Sequence, residues 1–416
     1  MTKAIKFLYG SKSCTVDLPA SWKLLGQFVP KDAEANESPT HVLSTALKNG
    51  IGSPDFDTLI RKKKNVVIIS DDKSRPTPSN LLIPPLLDIL NASGIPDRQI
   101  KIIVGRGLHP SLTERELKEK FGLEVLNRVQ VLDHDPTQNL IYLGETSFGT
   151  KVHVNSEVVK ADLKIGLGSI MPHELAGFTG GSGIIIPGVA GQETINQNHC
   201  LVGTFNAEFG KLEGNTIRED MEEAAKLLGL DFIINTILNS KNEIIKIVAG
   251  DPVEAHHMGV NYAKEVYGVK IPKLADISIV NSFPRGATFG KATKALFASH
   301  LAIKEDGVII LLAPCYQGIS SSPVFREILL QNPSSDFLFE CIEKGQLPGE
   351  SCVLYLFAKV KEHRIIIVTD GVSPTEIEQI GLEYASTLED AIQRVKIKNP
   401  EVIIFPKGAI TLPFLY

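Results

Sequence analysis

Residues 66–93 read VVIISDDKSRPTPSNLLIPPLLDILNAS: a β-branched run, a polar loop, and an apolar stretch that leads to Gly94. The run has the length of a buried strand, and Ser79 and Asn80 offer caps for a helix after it. Pro84 and Pro85 are expected to kink that helix or divide it in two. The same unit recurs. Residues 100–104 (IKIIV), 129–132 (VQVL) and 163–167 (LKIGL) are further strand candidates separated by longer amphipathic stretches. After residues 270–273 (KIPK) a second series begins: 277–281 (ISIVN), 307–312 (GVIILL), 354–358 (LYLFA), 364–369 (RIIIVT) and 401–405 (EVIIF). Alternating strands and helices predict an α/β protein. A boundary near residue 270 divides it into two α/β domains, 1–270 and 271–416, with the last residues able to pack back on the first.

The chain of 416 residues exceeds what one hydrophobic core usually serves, which also favours two domains. With 43% hydrophobic residues, 34 Gly and 24 Pro, it reads as a compact chain with many tight turns and not as a disordered one. Its 43 Lys and Arg against 48 Asp and Glu leave a net charge of −5, so it has no general positive field and nucleic acid is not an expected partner. No window reaches about 18 consecutive apolar residues, and the start, MTKAIKFLYGSKSC, has no signal-peptide core; a cytoplasmic protein without membrane segments is expected. Cys14, Cys200, Cys315, Cys341 and Cys352 are odd in number and form no C-x-x-C pair, which predicts reduced thiols.

The polar groups with chemical potential fall in loops after strands, where α/β proteins bind ligands. Residues 70–78 (SDDKSRPTP) place Asp72 and Arg75 there, and Arg75 suits a two-point pair with a carboxylate or phosphate. A proline-stiffened turn accounts for the same residues equally well. Residues 105–110 (GRGLHP) put His109 in the next such loop, with Thr113 and Glu116 forming a capping box behind it. Imidazole suits a general base near neutrality, although a lone loop histidine is more often structural. The densest block is MPHELAGFTGGSG (171–183), followed by Pro187-Gly188 and then NQNH (196–199). Gly177, Gly180, Gly181, Ser182 and Gly183 suit close approach of a phosphate or a flat cofactor, or simply a tight loop. His173 and His199 are too far apart for one helix face but could meet as base and metal ligand. The cluster Asp133-His134-Asp135 reads as a turn, His153 as a surface or packing residue, and the adjacent His256 and His257 as solvent-facing.

Taken in order, DDKSRPTP, GRGLHP, the MPHELAGFTGG block with its NQNH ending, and AGDPVEAHH (249–257) resemble the nickel-dependent lactate racemase family over nearly the whole chain. The resemblance implies two α/β domains with the active site in the cleft between them. It also implies a nickel-pincer nucleotide, a pyridinium mononucleotide that holds nickel through two sulfurs and a ring carbon. In that chemistry the cofactor takes a hydride from C2 of a 2-hydroxy acid while a histidine removes the hydroxyl proton, and returning the hydride to the other face inverts the centre. By motif position His109 and His173 match the two bases, His199 the nickel ligand, Arg75 with Asp72 beside it the substrate-carboxylate site, and Lys294 a substrate-positioning lysine. Partners implied are a small 2-hydroxy acid and the proteins that build the cofactor; a homodimer is left open.

The departures from the family pattern are informative. Where the family continues G-G-R-K-S, with a lysine that tethers the nucleotide, this chain has Gly181-Ser182-Gly183-Ile184, so Gly183 replaces the tether and any pincer nucleotide is expected to bind noncovalently. The family's Y-Q pair before the positioning lysine becomes Gly290-Lys291, which adds a cation and removes bulk. The aromatic of a D-Q-W-Q pattern has no counterpart around Glu350, Ser351 and Cys352, and the single Trp, Trp22, lies far away in sequence. A racemase or epimerase for a larger or more acidic 2-hydroxy acid than lactate is the leading expectation, with Lys291 as a further substrate contact. The alternatives are a noncatalytic homologue that binds a nucleotide cofactor, and a zinc hydrolase built on His109, His173 and His199, for which Glu174 is the one local candidate base.

Overall fold

The structure is a computed structural model that describes residues 4–204 and 206–415. The protein is α/β throughout and divides into two units. The central unit comprises Asp32–Met171 and Leu175–Val266; the terminal unit comprises the residues up to Lys31, the tripeptide Pro172–Glu174, and the chain from Tyr267 on. This differs from the sequence expectation, which kept residues 1–270 together. Strand Lys23–Gln27 pairs in parallel with Glu401–Phe405, so the N-terminal segment completes a sheet made mostly by the C-terminal residues. Among the described residues no helix is long and apolar enough to cross a membrane.

In the central unit six strands run in the order Ile244–Gly250, Phe232–Leu238, Leu163–Ser169, Val66–Asp71, Ile100–Gly105 and Gln130–Asp133. All neighbours are parallel except the first pair. Every residue of Val66–Asp71 is buried, because helices cover both faces of a parallel sheet and the strand therefore carries a continuous apolar run. Helix Ser79–Ala92 inserts Leu82, Ile83, Leu86, Leu87 and Leu90 into the core beside Ile68, Ile102 and Ile165. It continues as one helix through Pro84 and Pro85 and is not divided in two there. The two missing amides would have served the carbonyls of Asn80 and Leu81, and both residues are exposed to water, so the proline penalty is small here.

The terminal unit holds a second six-stranded sheet in the order Glu383–Ala385, Arg364–Val368, Ile303–Leu312, Ala275–Asn281, Glu401–Phe405 and Lys23–Gln27, all parallel. An antiparallel hairpin, Ala4–Tyr9 with Lys12–Asp17, sends Ile5, Phe7 and Val16 into the core against Ile277 and Ile279. Leu412–Leu415 pairs in parallel with Gly268–Ile271 inside the same unit. The run at residues 354–358 is not a strand: it lies in helix Val353–Val360 and buries Leu354, Tyr355, Phe357 and Ala358. A short apolar run carries too little periodicity to separate the two outcomes.

The loop that leaves Val66–Asp71 is anchored by a buried ion pair. Lys120, on helix Glu114–Arg128 behind the capping box of Thr113 and Glu116, donates to Asp71 Oδ1 at 2.7 Å and to the Thr77 carbonyl at 3.1 Å. Both side chains are almost wholly buried, so removing one charge strands the other. Lys120→Met should therefore lower unfolding stability in urea by about 3–5 kcal/mol. Lys120→Met combined with Asp71→Asn should recover part of that loss; a single variant of unchanged stability would contradict the anchor.

Candidate functional site

Beyond the Lys120 anchor the chain turns at Asp72, whose side chain is buried. Its carboxylate accepts from the Ser74 amide at 3.0 Å, the Ser74 hydroxyl at 2.5 Å and His109 Nδ1 at 2.9 Å. Burial alone would raise this carboxyl, but the hydrogen bond and charge of His109, with Ser74 and Arg75, hold it well below the usual carboxylate range. An ionised carboxylate only accepts, so the imidazole proton sits on Nδ1 and Nε2 carries the basic lone pair on a side chain that is 56% exposed. The loop that presents His109 is fixed at both ends. The Gly107 amide donates to the Gly188 carbonyl at 2.9 Å, and Arg106 binds both Asp133 and the His109 carbonyl. Arg75 is half-buried in the same turn. Asp72 thus serves as the orienting partner of His109, a role its position beside Arg75 did not reveal.

The glycine block is held from behind. Arg218 is buried to 1% exposure and donates to the carbonyls of Ala176, Phe178 and Gly180, while burial pulls its guanidinium down to about 10. Gly177 and Gly181 both adopt positive φ, and a Cβ would fall 1.9 Å from the Lys211 carbonyl at the first and 2.6 Å from the His256 ring at the second. Gly180 is similarly crowded by Asn235, which also takes the Gly181 amide at 2.7 Å. These glycines are required by packing, and the Gly181 N–H is already committed within the protein. Ser182 differs: its hydroxyl is buried and has no partner among the described residues, as is true of Ser169 at the end of strand Leu163–Ser169. Gly183 differs too, since a Cβ there would meet only Arg218 Nη1, at 3.8 Å.

His199 lies near the end of helix Gln192–Cys200, half-buried beside Asn198. Its Nδ1 donates to Asn198 Oδ1 at 3.1 Å, which leaves Nε2 as the nitrogen with a lone pair. Asn198 in turn donates to Asp220 Oδ2 at 2.7 Å, and that carboxylate also accepts from the hydroxyls of Thr146 and Thr150. Burial pushes the Asp220 carboxyl up despite these three donors. The chain from Asp220 through Asn198 to His199 is the kind of support that fixes the tautomer of a metal-binding imidazole.

In the terminal unit, Lys294 donates to both oxygens of Glu174, at 2.7 and 2.5 Å, and His173 Nε2 stands 3.9 Å from Glu174 Oε2. Glu174 is buried, which alone would raise its carboxyl, yet the charges of His173 and Lys294 and the Lys294 hydrogen bond hold it well below the usual range. Lys294 therefore compensates the buried Glu174 carboxylate. Lys291 is separate from this group and exposed, beside a cavity walled by residues 281–287. The space expected from Gly290 is absent: a Cβ there would already lie 3.2 Å from the Phe325 ring.

His134, His153 and His256 are held by packing and hydrogen bonds within the protein. His134 is buried between the Ala190 carbonyl and Asn155, and Asp135 caps the turn at Thr137. His153 is half-buried against Tyr142. His256, expected at the surface, is fully buried and donates from Nε2 to the Thr179 carbonyl at 2.9 Å; only His257 faces outward, on Glu222. Glu222, His256 and His257 each bring one ligand atom within 4.8 Å of the others, but the Arg218 guanidinium acts on the same buried imidazole and opposes a cation there. Burial first, with Arg218, keeps His256 well below its ordinary value, and burial also lowers His134. The unfolded chain then binds protons that the folded one refuses. Stability is complete above about pH 6.5 and falls as the pH drops below it. His256→Gln, which keeps a donor for Thr179, should reduce that slope by up to about 1.4 kcal/mol per pH unit in urea titrations between pH 6.5 and 5.

Comparison with known proteins bears on the whole chain. Residues 9–210 match the lactate racemase N-terminal domain, and residues 272–412 match the lactate racemase C-terminal domain. The sequence is 32% identical over 418 aligned positions to a lactate racemase of Thermoanaerobacterium thermosaccharolyticum, covering 97% of each chain. It is 31% identical to a lactate racemase of Lactiplantibacillus plantarum, covering 97% of this chain and 98% of that one. The lactate racemase apoprotein structure from T. thermosaccharolyticum superposes with a TM-score of 0.88 at 29% identity, covering 99% of this chain and all of that one. A Thermotoga maritima protein shares the fold at a TM-score of 0.70 and 18% identity. With both domains matched in order and identity above 30% across almost the full length, this chain belongs to the lactate racemase family.

Proposed function

We propose that the protein is a racemase or epimerase acting at C2 of a 2-hydroxy acid other than lactate, with a noncovalently bound nickel-pincer nucleotide. The observation that carries the catalytic reading is the Asp72–His109 pair, a half-exposed imidazole whose Nδ1 is engaged by a buried, ionised carboxylate. Family membership supports the isomerase class.

Residues that could hold the cofactor fit it in kind. His199 has its Nδ1 engaged and Nε2 suited to nickel, and Ser182 offers a buried hydroxyl without a protein partner beside Gly183, where the chain leaves room. The pincer nucleotide, when bound, supplies the hydride acceptor for C2. The remaining work falls to side chains. Arg75 pairs with the substrate carboxylate. His109 takes the hydroxyl proton from one stereoisomer, and Asp72 stabilises the imidazolium that results. His173 does so for the other stereoisomer, with Glu174 as its counter-charge and Lys294 preventing a bare buried carboxylate. The hydrolase reading lacks its base, since both oxygens of Glu174 are engaged by Lys294 and its basicity is low. A substrate other than lactate is favoured by the added cation Lys291.

His109→Ala and His173→Ala should each lower racemisation by about 10²–10⁴-fold in cofactor-loaded protein, followed by chiral chromatography or polarimetry across a panel of 2-hydroxy acids. Near-normal rates in either variant would end the two-base reading, lactate as the best substrate would end the specificity reading, and no turnover of any acid by loaded wild type would favour a noncatalytic homologue. After loading with the pincer nucleotide, denatured intact mass should equal that of the bare polypeptide. Nickel and the visible chromophore should be retained natively and released on unfolding; a mass increase that survives denaturation would show a covalent link elsewhere in the chain.

A further inference from the structure

Two histidines that the proposed reaction does not use meet in the terminal unit. His300 is the last residue of helix Lys294–His300, and His363 lies in the turn between helix Val353–Val360 and strand Arg364–Val368. His300 Nδ1 stands 2.9 Å from His363 Nε2 across 63 positions of sequence, with the ring centroids 5.1 Å apart and the planes tilted by 60°. Both rings rest on fixed backbone. The His363 amide donates to the Val360 carbonyl at 3.1 Å, and the helix that ends at His300 buries Leu296, Phe297 and Ser299.

The outer nitrogens decide what the pair can hold. His363 Nδ1 donates to the Glu305 carbonyl at 2.9 Å, so its Nε2 carries a lone pair, and that lone pair accepts from His300 Nδ1. An imidazole whose far nitrogen is engaged by a backbone carbonyl has the support found behind metal-bound histidines. Moving the His300 proton from Nδ1 to Nε2 frees a second lone pair with no net loss of a proton. Two imidazole nitrogens at about 2.0–2.1 Å from one ion lie about 2.9 Å apart when they are cis, and about 3.4 Å apart in a tetrahedron. The observed separation equals the first, and opening the pair by about 0.5 Å gives the second. The surroundings accept a cation, because each residue follows the last turn of a helix, where unpaired carbonyls carry partial negative charge. The other charged groups that act on His300 are Glu362 and Lys359; Glu362 is exposed next to His363, and Lys359 is drawn over the Tyr355 ring at 4.5 Å.

We infer that His300 Nδ1 and His363 Nε2 together bind one borderline divalent cation of the nickel, copper and zinc class, with water completing its shell. This site needs neither the pincer nucleotide nor the racemase reading, and it shares no residue with them. Its ligands come from separate elements, so the ion ties the end of one helix to the turn after another and favours the folded chain. The test is equilibrium dialysis of untagged, chelator-stripped, cofactor-free full-length protein against Zn(II) and Ni(II), with Mg(II) as control and melting temperature followed in parallel. Wild type should take up Zn(II) and Ni(II) and melt higher with either, whereas Mg(II), which prefers oxygen ligands, should do neither. His300→Gln and His363→Gln should each remove one bound ion per chain and the accompanying rise in melting temperature, while both variants melt close to wild type without metal. His199→Gln should keep that ion. Lys359→Gln removes the opposing charge without touching a ligand and should tighten binding about twofold. Zn(II) and Ni(II) uptake that is unchanged in His300→Gln and His363→Gln, or lost only in His199→Gln, would overturn the site. Equal uptake of Mg(II) would overturn imidazole ligation.

Discussion

A guanidinium taken out of water must have its donors met inside the protein, and Arg218 meets them with the carbonyls of Ala176, Phe178 and Gly180. Those three carbonyls belong to alternate residues of one short stretch, so the constraint fixes the path of the whole glycine block. The tight positions follow from it: Gly177 against Lys211, Gly180 against Asn235, and Gly181 against His256. What is left over is chemically useful. Ser182 and Gly183 are the next residues along, and they are the ones whose surroundings contain an unmet hydroxyl and open space.

The histidines show how one side chain acquires different roles from the partner of its second nitrogen. His109 gives Nδ1 to a buried carboxylate while more than half of its side chain stays exposed. His199 gives Nδ1 to a neutral amide, a weaker pull than a carboxylate exerts. His256 gives Nε2 to a carbonyl, is sealed from water, and cannot carry charge. His173 stands 3.9 Å from a carboxylate that Lys294 already matches.

Much of the fold was legible because buried parallel strands need continuous β-branched runs, and VVIIS, IKIIV and RIIIVT had no other reading; the capping box at Thr113 and Glu116 was equally local. Two failures came from absent periodicity. Residues 354–358 were too few to distinguish helix from strand, and Lys23–Gln27 (KLLGQ), an edge strand with no β-branched residue, gave no sign that the N-terminus completes the C-terminal sheet. The site residues were legible as types at loop positions, but their pairings were not. Asp72 with His109 and Glu174 with Lys294 join residues 37 and 120 positions apart. Arg218 did leave a trace: it sits on the apolar face of Thr216–Leu228 with Ile217, Met221 and Ala225, where an unpaired charge is improbable.

The glycine at Gly183, where the resemblance implies a tethering lysine, is not imposed by steric crowding at its Cβ. Glycine is forced at Gly177 and Gly181 by backbone or ring atoms within 3 Å, whereas nothing lies nearer than 3.8 Å to a Cβ at Gly183. A Cβ at Gly183 would meet only the Arg218 guanidinium, in ordinary contact. In the proposed reading, retention of the nucleotide then becomes a mass-action property, set by free cofactor concentration against affinity, and its contribution to stability grows with the logarithm of that ratio. Contacts that a covalent bond would make dispensable become decisive. The unmet Ser182 hydroxyl, and the support of His199 through Asn198 by Asp220, are features of the kind that such retention requires.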